Sequence, residues 1–171
     1  MSLEEEQSTR EKNKQVVSEY TTEFWGNGNT DVVDKLCADD FVSDCPLHGR
    51  RQGKAQVKKM ILDFREASLY LQPQRVAFPD FVIHAYGSIP MIAENDYVVV
   101  RWIGGGKHTG PAFDDLPIGR LQGQNTGRVI QFSGTTIYTL RDGKIIEEVA
   151  EEGALTALQQ LGILSSASTA D

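Results

Sequence analysis

The chain has 171 residues, 40% hydrophobic and 24% charged, which suits one domain with a real buried core. Seventeen basic against 24 acidic residues give a net charge of −7. That balance argues against a nucleic-acid partner, because no basic stripe is present to displace counterions from phosphates. A small anionic ligand remains compatible with it.

The amino-terminal stretch MSLEEEQSTREK is acidic and polar, unlike a signal or transit peptide. Without apolar periodicity, residues 1–12 are expected to form a flexible arm. From Asn13 to Trp25, the apolar positions Val16, Val17, Tyr20 and Phe24 recur at helical spacing and predict a first helix. Gly26-Asn27-Gly28 ends it, and Asn29 or Thr30 can cap a short second helix through Leu36. Asp39-Asp40 breaks the pattern before a short extended piece at Phe41-Val42. DCPLHGRRQG then reads as a polar loop, and Val57, Met60, Ile61 and Phe64 share one face of a third helix from Lys54 to Arg65.

Beyond that helix the period changes. Residues 75–86 have β-rich character, 97–104 form a strong strand and 128–140 another. Asp142-Gly143 marks a tight hairpin turn, followed by a last strand over 145–151 and a closing helix over 154–161. The glycine-rich connection from Gly104 to Gly127 is a mouth loop or a surface insertion. Helices first and an antiparallel sheet second indicate an α+β fold, with helices packed on one face of a curved sheet. Residues 13–164 form the single domain and 165–171 a flexible tail.

Two cysteines, Cys37 and Cys45, do not make a disulfide framework, and Cys37 reads as a small buried hydrophobe. No apolar run approaches the roughly 20 residues that span a bilayer. The expectation is a cytoplasmic protein with neither membrane nor nucleic-acid partners. The three histidines are far apart in sequence, and no nucleotide-binding glycine motif is present, so neither a metal nor an organic cofactor is expected.

DFVSDCPLHGRRQGK, VVVRW followed by GKHTG, TGRVIQFSGTTIYTLRDGKIIEEV and ALQQLG occur in this order. Together they resemble the SnoaL-like polyketide cyclases of the nuclear transport factor 2-like superfamily. The resemblance implies a cone-shaped α+β barrel with an apolar pocket at its open end, in a homodimer joined through the sheet. It also implies intramolecular aldol cyclisation of a polyketide without cofactor, a carboxylate moving the proton. Dehydratases, isomerases and non-catalytic binding domains share the fold, so the reaction must be argued from the site. Aligned on DGKI and QLG, the family's acid/base Asp falls on Ala150, which cannot move a proton.

Glu148 is the natural substitute, since Glu148, Ala150 and Glu152 leave one face of the last strand. In an apolar pocket, desolvation would raise its pKa toward neutrality and suit it as general base. A one-residue change of register would instead make it part of a solvated acidic edge. Asp44 is the second carboxylate, on the loop before the third helix, with His48 beside it as proton shuttle or donor. His108 in KHTG either donates to an enolate oxygen or holds the strand end. Tyr20, Trp102, Phe132 and Tyr138 are expected to build the chamber, with Arg101 facing the other way, and Asp114 reaches the mouth if its loop folds over.

Overall fold

The computed structural model describes residues 2–65, 81–85, 90–110, 113–116, 119–121 and 126–164. The first helix, α1, runs Leu3–Tyr20, so residues 3–12 of the expected arm are helical. A capping box explains the early start: Ser2 N–H donates to Glu5 Oε2 at 2.7 Å and Glu5 N–H to Ser2 Oγ at 3.3 Å. Glu4, Glu5 and Glu6 in the first turn add favourable charge at the positive end of the helix dipole. The tail expected over 165–171 lies outside the described residues.

From Thr21 to Gly26 the chain continues as a π-helical segment, followed by α2 (Asp31–Leu36), β1 (Cys37–Asp44), β2 (Arg51–Gln52) and α3 (Lys54–Arg65). β1 is longer than the piece expected at Phe41-Val42: Asp39-Asp40 lies within the strand, exposed, at a register irregularity. Five further strands follow: β3 (Val82–Ala85), β4 (Ile92–Glu94), β5 (Tyr97–Lys107), β6 (Phe113–Leu116) and β7 (Gly119–Leu121). The long strands β8 (Val129–Arg141) and β9 (Lys144–Glu152) precede a closing helix α4 (Ala154–Gln160). Asp142 and Gly143 adopt φ of 52° and 73°, the positive pair that a two-residue hairpin needs.

The main sheet is ordered β2-β1-β9-β8-β5-β3, with β4 also pairing β5. Every pairing in it is antiparallel except β1 with β9. The sheet curves around two apolar clusters. One, under α1, α2 and α3, packs Tyr20, Phe24, Phe41, Met60, Tyr138 and Ile145 and closes one end. The other, between β3, β5, β8 and α4, packs Phe81, Trp102, Phe132 and Leu158 and lies toward the open end. Gly134 permits that second packing: a Cβ there would sit 2.3 Å from the Trp102 ring. Among the described residues no helix is long and apolar enough to cross a membrane.

Candidate functional site

A single extra residue decides what the last strand shows to the interior. Leu140 pairs with Ile145, but Thr139 pairs with Glu147, so Ile146 forms a bulge in β9. Strict alternation from buried Ile145 would have turned Glu147 and Val149 inward. The bulge reverses the phase, and Glu148, Ala150 and Glu152 all line one cavity while Val149 and Glu151 stay exposed. The cavity is narrow and opens to solvent at its mouth.

Glu148 is buried on the cavity wall. Ser43 Oγ–H donates to its Oε1 at 2.5 Å, and the Trp25 indole N–H donates to its Oε2 at 3.2 Å. Burial pushes its pKa up from 4.5 to about 7, against the lowering effect of these two donors. The Tyr20 phenol lies close enough to interact with this carboxylate, but its hydroxyl makes no hydrogen bond of good geometry. Burial, and then the charge of Glu148, hold the Tyr20 and Tyr138 hydroxyls protonated well above their ordinary value.

Glu152 accepts the Leu47 backbone N–H at 2.8 Å through its Oε1, and burial raises its pKa as well. It ties the 45–48 turn to β9. The Cys45 and Cys37 thiols are free, buried and pushed up by desolvation, so neither is a ready thiolate. Among the described residues no group of three or more His, Cys, Asp or Glu side chains is placed to hold a metal ion.

The structure distributes the remaining expected residues unevenly. Trp102, Phe132, Tyr138 and His48 line the cavity. Trp102 is held by its indole N–H donating to Thr136 Oγ1 at 2.8 Å, and Arg101 turns the other way to Gly134 O and Ser133 Oγ. Asp44 is the last residue of β1 rather than a loop residue. It reaches the cavity rim, but its half-exposed carboxylate pairs with Arg50 at 3.1 Å.

Tyr20 belongs to the closed-end core behind Glu148 and is not a wall residue, a correction to its expected place in the chamber. His108 also stands apart from the cavity. It is fully buried, its Nδ1 lies 2.8 Å from Thr126 Oγ1, and its backbone bonds Arg128 and Gly127. That is the strand-holding alternative of the two considered for it. The side chain of Asp114, a β6 residue, lies outside the described ones.

Among the wall residues not foreseen, Trp25 and Ser43 hold Glu148, and the anchoring use of Glu152 was not foreseen either. Ser43 was available from alternation in DFVSD, where Phe41 and Ser43 are both buried. Trp25 was not, because it falls off the stripe set by Val17, Tyr20 and Phe24. The wider turn of the π-helical segment brings both Thr21 and Trp25 to the cavity wall.

The model of the SnoaL-like polyketide cyclase family matches residues 15–161, nearly the whole folded region. The chain belongs to this family. Solved structures agree on the fold. A protein assigned as a SnoaL-like polyketide cyclase from Jannaschia Sp. CCS1 superposes with a TM-score of 0.68 at 21% identity, covering 91% of this chain and 94% of its own. One assigned as a polyketide cyclase from Acidithiobacillus ferrooxidans gives 0.65 at 24% identity, covering 89% and 95%. A phenazine biosynthesis-related protein from Pseudomonas aeruginosa gives 0.68 at 16% identity, covering 99% and 97%. Comparison with curated proteins finds no match. At these identities the structural likeness speaks for fold alone, and the chemistry rests on the side chains.

Proposed function

We propose that this SnoaL-like protein is a cofactor-independent acid/base enzyme acting on an apolar, oxygenated small molecule of polyketide origin. Glu148 takes a proton from the carbon next to a carbonyl, leaving an enolate. The enolate carbon attacks a second carbonyl of the same molecule, forming the ring-closing C–C bond. The proton held by Glu148 then passes to the new alkoxide, and the carboxylate is regenerated. The observation that carries this reading is a buried cavity carboxylate, anchored by Ser43 and Trp25, with a pKa of about 7. The charge of Glu148 is divided between its two forms at neutral pH, so it can both take and return a proton.

A test needs no knowledge of the natural substrate. Exchange of the hydrogens beside the carbonyl of 2-tetralone for deuterium, followed by NMR, reads the proton-abstraction step alone. The wild-type rate should rise with pH to a plateau above about 7, and Glu148→Gln should lower it roughly 10²–10⁴-fold. Exchange no faster than in buffer would sink the enzyme reading. A non-catalytic binding domain would then lead, which Ala150 on the cavity wall favours, since it stands where the family's acid/base Asp is expected. Isomerisation or dehydration would share the first step and be separated by product analysis.

We also propose a homodimer through the outer sheet face. Val99, Ile137 and Val149 stand in register across β5, β8 and β9, and Ile137 and Val149 are exposed at 45% and 40%. Sedimentation as a monomer at micromolar concentration would count against this.

A further inference from the structure

His48 lines the same cavity as Glu148, yet its Nδ1 is buried without a hydrogen-bond partner. Such a nitrogen costs stability, and native proteins rarely leave one unsatisfied. Its ring neighbours offer no remedy. Trp25 stacks beside it with centroids 6.3 Å apart, and Phe64 meets it edge-on at 4.8 Å. Nor is the turn that carries it loose. Gly49 N–H donates to Cys45 O at 2.7 Å, Leu47 N–H to Glu152 Oε1 at 2.8 Å, and Arg51 Nη2 to His48 O at 2.6 Å. The ring is therefore immobilised, packed between aromatic groups and left with unused hydrogen-bonding capacity.

Two further facts narrow what such a ring can meet. Burial, helped by the positive charge of Arg51, pushes the His48 pKa down to about 3, so the imidazole is neutral at physiological pH. A neutral imidazole has one donor and one acceptor nitrogen, and a hydroxyl group can satisfy either. A carbonyl serves only the donor, and an anionic group would face the carboxylates of Glu148 and Glu152 in the same cavity. The rest of the wall, from Trp25, Trp102 and Phe132, suits an apolar body.

We propose that His48 is a specificity residue of this pocket, reading a neutral hydroxyl on a ring-bearing ligand whose apolar body lies against Trp25, Trp102 and Phe132. This rests on the cavity being a small-molecule site, and it replaces the proton-shuttle role expected for His48 by a hydrogen-bonding one. Glu152, by holding the turn, is a positioning residue for it.

Calorimetric titration with 2-naphthol and naphthalene tests the assignment, since the two differ by one hydroxyl. Wild type should bind 2-naphthol about tenfold more tightly than naphthalene, the scale of one buried hydrogen bond. His48→Phe keeps the aromatic packing and should abolish the preference while leaving naphthalene affinity unchanged. His48→Asn retains a polar atom near the Nδ1 position and should restore part of the preference. The titration involves no proton transfer, so its outcome is read separately from the assignment of the base. A preference that survives His48→Phe, equal loss of both probes in that variant, or wild type binding the two probes alike or not at all would overturn the proposal.

Discussion

The junction at His108 and the turn at His48 each bury a histidine, and they use it in opposite ways. His108 lies between Lys107 at the end of β5 and the segment entering β8, with Thr126 at its Nδ1 and backbone bonds to Gly127 and Arg128. Every one of these contacts ties chain to chain. His48 is equally withdrawn from water, but its Nδ1 is bonded to nothing. Burial alone therefore does not mark a functional histidine. What distinguishes the two is whether the ring's hydrogen bonds are already spent on the fold.

The contrast has consequences of opposite sign for stability. Replacing His108 by Ala should give the largest loss, roughly 2–5 kcal/mol, from the cavity it leaves and the lost hydrogen bond to Thr126. Urea unfolding at pH 7 reads it, and a loss below about 1 kcal/mol would break the comparison at its structural end. Glu148→Gln should do the reverse. Its pKa rises from 4.5 to about 7 on folding, so the folded state binds more protons than the unfolded one between those values. Stability from this group is thus lost as pH rises through that window, a penalty of about 3 kcal/mol at pH 8. The Gln variant should escape it, unfolding at higher urea than wild type at pH 8 and gaining less at pH 5.

His48→Phe sharpens the comparison further. With its pKa lowered from 6.5 to about 3, His48 binds fewer protons folded than unfolded, so its contribution falls as pH drops below 6.5. Between pH 7 and pH 5 this costs wild type about 2 kcal/mol, and the Phe variant should not show that loss. In the same interval Glu148 acts in the opposite sense, so wild-type stability should be nearly level where each single variant slopes. Thr126→Val is the smallest change, about 1 kcal/mol. It removes the hydroxyl partner of His108 Nδ1 but keeps the Thr126 backbone N–H, which donates to the same nitrogen at 3.4 Å, so the junction should hold and probe affinity in the pocket should not change.

The parts of this molecule that could be read in advance are those where local pattern and tertiary structure agree. Asp142-Gly143 announces its hairpin, and the face shared by Glu148, Ala150 and Glu152 follows from period two once the strand is placed. What alternation could not supply was the phase, because the Ile146 bulge that sets it has no signature in KIIEEV. The π-helical segment hid Trp25 for a related reason: one added residue per turn moves it off the helical stripe. Asp39-Asp40 looked like a break and is an exposed stretch of a bulged strand. In all three places an irregular backbone overrode a regular pattern, and each borders the cavity or leads into it.

The parallel pairing of β1 with β9 has a kinetic side. Glu148 meets Ser43 across 105 positions and Trp25 across 123, so these contacts close loops spanning most of the chain. Contacts of such sequence separation slow folding, because chain entropy is lost before they contribute. The β8–β9 hairpin, by contrast, can form locally, and before its long-range partners arrive it carries a glutamate with an ordinary affinity for protons. The unusual carboxylate comes into being when the two ends of the chain meet, so proton uptake followed by stopped flow near pH 6 would time that meeting.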